Sequence, residues 1–255
     1  MNQIVNITYV RHGFSCSNLA SSLRDFQDLK IDHIEDPALT LHGIQKTLKV
    51  SSEIKANLKA RDLYPDVESG DIIGSSQLLR AIETSLLLFK DEIIDQKWQT
   101  NVVPFIIESG NHISNRVVDK DMQLTIMRNT PAFKDFDLKS NQPDVIWRTD
   151  QTTKLGDVVV ESNYDKFLDW VASNIILRDG LKIVLVSHGN FIGEHVLKTS
   201  YILDNNDCAN VRYSVITVNG KKKLVPMDYE WIWRSENESE SQFVQRISCD
   251  SCSEF

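Results

Sequence analysis

The stretch Ile4-Val5-Asn6-Ile7-Thr8-Tyr9-Val10-Arg11-His12-Gly13 is an apolar run that stops on Arg-His-Gly. A similar element returns far downstream, where Ile183 to Val186 leads into Ser187-His188-Gly189-Asn190. Each reads as a strand ending at a histidine followed by a glycine. In an open α/β sheet, ligands bind in the crevice at the carboxyl ends of the strands. Two such strand ends would bring His12 and His188 together across most of the chain. An imidazole can act as a nucleophile and divide one difficult step into two easier ones. Arg11 adds a rigid fork of donors suited to phosphate or carboxylate. Gly13 and Gly189 would let the backbone approach a ligand closely. A lone histidine is more often a hydrogen-bonded structural residue. The pairing of two, with Arg11 beside one, favours a site for a small dianion, and a phosphoryl group fits best.

Working outward, strand and helix signals alternate. His42–Arg61 reads as a helix, with Ile44 and Leu48, then Ile54 and Leu58, at four-residue spacing. Asp71–Ser75 is a short strand entering a helix over Leu78–Ile94, whose Leu78, Ile82, Leu86 and Phe89 form a core stripe. Val102–Ile107 reads as a strand, Tyr164–Leu177 as a helix, Lys182–Ser187 as a buried strand and Phe191–Thr199 as a helix. This alternation predicts an α/β fold: a three-layer sandwich with a mostly parallel central sheet flanked by helices.

The motifs along this frame resemble those of the histidine phosphatase superfamily, also called phosphoglycerate mutase-like. Arg11-His12-Gly13 with Ser15 and Asn18 has the spacing of its RHGxSxxN signature. Asp36-Pro37-Ala38-Leu39-Thr40-Leu41-His42-Gly43 is similar to its D-x-x-L-T-x-x-G segment. Ser75-Ser76-Gln77-Leu78-Leu79-Arg80-Ala81-Ile82-Glu83-Thr84 is similar to the segment with its second arginine, and the element around His188 to that with its second histidine.

The resemblance implies roles for named positions. His12 would be the nucleophile that becomes phosphorylated. Arg11, Arg80 and His188 would form the phosphate pocket, with Asn18 and Gly189 beside them. The family's general acid lies between the second arginine and the second histidine, and Glu108, after Val102-Val103-Pro104-Phe105-Ile106-Ile107, is the best match. Glu161 is a weaker candidate, and Glu83 reads as exposed on its helix, away from the chemistry. In this scheme His12 attacks as a neutral imidazole, which Arg11 and Arg80 favour by opposing its protonation. Preformed cations and donors stabilise the transferring oxygens. Glu108 protonates the leaving oxygen and then activates water. No metal or other cofactor enters the scheme.

Composition bounds the alternatives. At 255 residues, 41% apolar and 25% charged, the chain has ordinary globular usage and enough length for a sizeable core. A net charge of −8 argues against nucleic acid as partner. No uninterrupted apolar stretch suits a membrane span, and residues 1 to 6 lack the pattern of a signal peptide. A cytoplasmic location is the expectation. Cys16, Cys208, Cys249 and Cys252 are too few and scattered for a secreted disulfide framework. The Cys249–Cys252 pair lacks the second pair that a zinc site needs. Cys16 sits in the nucleophile loop, where the same cations would favour an oxidation-sensitive thiolate.

Residues 1–234 read as one domain, with 110–160 an insertion or lid and 235–255 a flexible Ser/Glu-rich acidic tail. Within the insertion, Arg116, Arg128, Trp147 and Arg148 are possible substrate contacts. Asn219-Gly220 between two β-type runs predicts a hairpin with a type I′ turn, its tip solvated by Lys221-Lys222-Lys223. Tyr229–Trp233 reads as an edge strand or packing segment. The favoured function is a metal-independent phosphatase acting on a phosphorylated small molecule or phosphoprotein. A phosphoglycerate-type mutase and a silent phosphate-binding module remain open, as do the substrate and the oligomeric state.

Overall fold

Alternate side chains of a strand point to opposite faces, and here that alternation builds two cores. In strand β5 (Leu181–Ser187), Ile183 and Leu185 enter one apolar cluster while Val184 and Val186 enter the other. In β1 (Gln3–Arg11), Val5, Ile7 and Tyr9 join the first cluster and Val10 the second. A sheet apolar on both faces must be covered on both. The computed structural model describes residues 3–22, 34–110, 112–140, 143–148, 162–201 and 203–235, and in it helices supply both covers.

The helices facing Val184 and Val186 are α2 (Leu41–Ala60), α3 (Leu79–Leu88), α4 (Lys90–Gln96) and α5 (Lys120–Asn129). On the other face lie α6 (Tyr164–Asn174) and a π-helix, Phe191–Leu197. A short helix, α1 (Cys16–Ser22), follows β1. The remaining strands are β2 (Ile72–Ser75), β3 (Thr100–Val102), β4 (Val145–Trp147), β6 (Cys208–Val218) and β7 (Lys221–Trp233). With β1 and β5 they form one seven-stranded sheet in the order β4-β3-β2-β5-β1-β6-β7. From β4 to β1 all pairs are parallel, and β6 and β7 continue the sheet antiparallel. The mostly parallel three-layer architecture therefore stands.

The order sets the site. β5 returns late in the chain to lie between β1 and β2, pairing Arg11 with Ser187 and Ser75 with Val186. The strand ends are then stitched together: the His12 N–H donates to Ser187 O at 2.9 Å and the Ser76 N–H to Val186 O at 2.8 Å.

Several elements differ from expectation. The helix over 78–94 is broken at Phe89 into α3 and α4. The strand expected over 102–107 ends at Val102, because Phe105 takes φ +68 and cannot continue a strand. Phe191–Leu197 is wound as a π-helix. The described part of 110–160 holds 3₁₀ turns at Ile113–Asn115 and Pro131–Phe133, α5 and the edge strand β4. The hairpin turn is as predicted, with Asn219 and Gly220 both at positive φ, and Tyr229–Trp233 is the end of edge strand β7. Of the tail, Ser235 donates its N–H to Asp207 Oδ1 at 2.7 Å; residues 236–255, with Cys249 and Cys252, lie outside the described residues. Among the described residues no helix is long and apolar enough to cross a membrane.

Candidate active site

His12 is the first residue beyond β1, and its ring is fixed by one hydrogen bond. Nδ1 lies 2.7 Å from the Gly13 carbonyl oxygen, which can only accept, so Nδ1 carries the proton. The lone pair is left on Nε2. Burial lowers the His12 pKa well below its usual value, and the Arg80 and Arg11 charges lower it further. The neutral ring thus presents an unprotonated Nε2, 3.3 Å from Arg80 Nε.

The loop that carries His12 is braced from several sides. The Gly13 N–H donates to Thr84 Oγ1 at 2.9 Å, and that hydroxyl donates to Arg80 O at 2.7 Å. Asn205 Nδ2 donates to His12 O at 2.8 Å. Arg11 reaches across to the Leu203 carbonyl through Nη1, while its Nε is buried without a partner. Gly189 stands against this guanidinium, where a Cβ would lie 3.2 Å from Arg11 Nε. Its role is therefore to make room for Arg11.

Asn18 has its amide oriented by its neighbours. Oδ1 accepts from the Ser15 N–H and hydroxyl, each at 3.0 Å, and from Asn205 Nδ2 at 3.3 Å. Its NH₂ group is the end left for an anion.

His188, just past β5, is fully buried with its ring centroid 5.1 Å from that of His12. Its Nε2 lies 2.5 Å from Ser76 Oγ. That hydroxyl also accepts from the Leu78 N–H at 3.3 Å. The other ring nitrogen, Nδ1, is buried with no hydrogen-bond partner. Burial and the neighbouring Arg80, His12 and Arg11 push its pKa well down, so this ring too is neutral.

A cavity of about 460 Å³ opens over these groups, lined by Arg11, His12, Asn18, Arg80, Glu108 and Asn190 among others. His188 and Gly189 do not line it. Glu108 follows the irregular stretch after β3. Burial raises its pKa, opposed by the charges of Arg80 and Arg11 and by the N–H groups of Ser109 and Asn190. A protonated carboxyl beside two guanidinium groups can deliver a proton. Glu161 lies outside the described residues.

Glu83 is a correction. It is not on an exposed face but 1% exposed, accepting the Leu39 N–H at 2.7 Å. Burial, with Asp36 nearby, pushes its pKa up to about 8. Asp36 is equally buried at φ +45, and its carboxylate accepts from the Leu79 N–H (2.7 Å), Val118 N–H (3.3 Å) and Gln123 Nε2 (2.6 Å). It ties the start of α3, next to Arg80, to the segment entering α5.

The insertion residues expected at the substrate do other work. Arg116 faces Glu35 at 3.5 Å on the surface. Arg128 donates to Leu138 O at 2.7 Å, Arg148 to Asn101 Oδ1 at 2.8 Å, and Trp147 packs on the core beneath Lys120. The insertion reaches the cavity instead through His112, Ile113, Ser114 and Asn115. Cys16 is buried and disulfide-bonded, so the thiolate expected there is not available. Ser76, Asn115 and Asn205 were not singled out from the sequence. Asn205 sits in the polar run Asp204-Asn205-Asn206-Asp207 ahead of β6, and antiparallel pairing places that run at the same sheet edge as His12. Among the described residues no group of three or more His, Cys, Asp or Glu is placed to hold a metal.

No protein-family model matches the chain, and no curated protein matches it. Among solved structures it is similar to mycobacterial hydrolase 2, at 13% identity and TM-score 0.47, over 96% of this chain and 97% of that one. It is similar to a mycobacterial glucosyl-3-phosphoglycerate phosphatase at 14% identity and TM-score 0.42, over 88% and 97%. It is also similar to the ecdysone phosphate phosphatase of Bombix mori in complex with tungstate, at 10% identity and TM-score 0.43, over 86% and 91%.

Proposed function

We propose that this protein is a phosphatase of the histidine phosphatase type, hydrolysing a phosphate monoester through a phosphohistidine. The observation that carries the reading is the His12 ring: Nδ1–H is committed to Gly13 O, and Nε2 faces Arg80 over the cavity. Nε2 attacks phosphorus as the ester P–O bond breaks, and the Glu108 carboxyl gives its proton to the departing oxygen. The ionised Glu108 then takes a proton from a water that attacks phosphorus. The P–N bond breaks, orthophosphate leaves, and Glu108 and His12 return to their starting states. Arg11, Arg80 and the Asn18 amide neutralise and orient the phosphoryl oxygens, while His188 supports the His12 ring from the next strand.

The test is hydrolysis of 4-nitrophenyl phosphate in a chelator, comparing wild type with His12→Ala. Every step is assigned to side chains, so turnover is expected to persist in chelator and vanish with His12. Acid-labile phosphate on the wild-type protein after rapid quenching identifies the intermediate. A folded wild type that hydrolyses no phosphate monoester overturns the reading.

A further inference from the structure

We infer that Asn115 is a positioning residue, holding the Arg80 guanidinium and the Glu108 loop in one arrangement through the two ends of its side-chain amide. The inference rests on the phosphatase reading above and adds a residue that none of the sequence motifs contains.

Arg80 has five N–H donors. Nε donates to His12 Nε2, Nη1 donates to Ser114 O at 2.8 Å, and Nη2 donates to Asn115 Oδ1 at 3.0 Å. Two donors remain for phosphoryl oxygens. An arginine side chain is long and rich in rotamers, and its value at a transition state depends on being held beforehand. The 3₁₀ turn Ile113–Asn115 does the holding from outside the motif that carries Arg80.

The other end of the same amide points to the acid. Asn115 Nδ2 donates to Ser109 O at 3.3 Å and Gly110 O at 3.4 Å, the residues directly after Glu108. An acceptor facing a cation and a donor facing two carbonyls leave the amide one orientation. The turn is in turn fixed at its far side, since the Val118 N–H donates to Asp36, which also accepts from the Leu79 N–H beside Arg80. Arg80 and Asn115 are therefore anchored to one buried carboxylate from both directions. Loss of the amide frees the guanidinium and loosens the Glu108 loop together.

The test uses the full chain and two readouts. Calorimetric titration with orthophosphate reads Arg80 without turnover, and Asn115→Ala is expected to weaken binding roughly tenfold, as loss of a group that holds a ligand's own contact typically does. The ratio of kcat/KM on an alkyl phosphate to kcat/KM on 4-nitrophenyl phosphate covers only the steps through phosphorylation and reads the acid, and it is expected to fall, because only the poor leaving group needs a proton. Asn115→Asp keeps the size and the acceptor toward Arg80 but cannot donate to the two carbonyls, so it should show the leaving-group defect if Asn115→Ala does not fold. Wild-type phosphate affinity and an unchanged ratio in a folded variant overturn the inference. If the wild type binds orthophosphate but hydrolyses no monoester, the proposed function falls and the binding comparison still decides the role of Asn115. A wild type that binds no orthophosphate overturns both.

Discussion

Arg80 Nε lies 3.3 Å from His12 Nε2 and donates to it, so the cation that would bind the phosphoryl group also touches the lone pair that would attack it. After burial, the Arg80 charge is the largest influence lowering the His12 pKa. Arg80→Ala is expected to reduce kcat by roughly 10²- to 10³-fold, as removal of a preorganised charge stabiliser does. The same change raises the pKa of His12, so the ring protonates at higher pH. The acid limb of the kcat/KM profile moves upward with it. An acid limb in the same place would show that Arg80 does not act on the nucleophile.

Glu108 should separate substrates by leaving group. Burial keeps its carboxyl protonated above the ordinary carboxylate range, so wild-type activity on an alkyl phosphate should fall on a basic limb as that proton is lost. Glu108→Gln is expected to lose about 10²-fold or more on the alkyl ester and its basic limb, while retaining much of the burst on 4-nitrophenyl phosphate. Equal losses on both substrates in the phosphorylation step would remove Glu108 from the acid role.

Glu83 makes a prediction about stability. Its pKa rises from 4.5 to about 8 on folding, so between those values the folded chain binds the extra proton. The Glu83 contribution to stability is then full below pH 4.5 and is lost as pH rises toward 8. At about 1.4 kcal/mol for each pH unit of displacement, the effect is several kcal/mol in magnitude. Asp36, raised to about 6, adds a decline of the same sign over a lower range. Glu83→Gln keeps an acceptor for the Leu39 N–H and removes the titration. Urea melts across pH 5 to 8 should show a flatter profile in the variant, and parallel profiles would refute the assignment.

Gly43 is required by close contact between helix and nucleophile loop. A Cβ on residue 43 would lie 2.0 Å from Phe14 O and 2.9 Å from its carbonyl carbon, and neither backbone atom can swing away as a side chain would. Gly43→Ala is expected to cost about 3 kcal/mol or more by overpacking, seen as a lowered urea midpoint. It should also impair His12, two residues from Phe14. Wild-type stability would mean that α2 and the loop separate easily.

What was legible in the sequence was local. The apolar runs into His12 and His188 gave the strands, and alternation of strands with helical stripes gave the layers. What was missed depends on distant partners. Glu83 looked exposed because its spacing on α3 says nothing about Leu39, whose N–H it accepts. The strand expected over 102–107 contains Pro104 and a β-type composition, yet Phe105 turns at positive φ. Asn115 lay in a polar stretch without periodicity, and its partners come from separate elements, Arg80 from helix α3 and Ser109 and Gly110 from the loop after Glu108. Arg128, Trp147 and Arg148 carried the right chemistry for a substrate but are engaged with Leu138, Lys120 and Asn101.

The placement of β1 bears on how the chain is made. Both of its neighbours, β5 and β6, come from residues beyond 180. Ribosomes add roughly 5–20 residues per second, so the first strand is synthesised on the order of ten seconds or more before either neighbour exists. Its Val5, Ile7, Tyr9 and Val10 are completely buried in the finished protein and have no sheet partner during that interval. Nascent chains ending before residue 181 are expected to recruit chaperones or aggregate. The nucleophile is made with β1, but its site closes only once β5 and β6 have followed it.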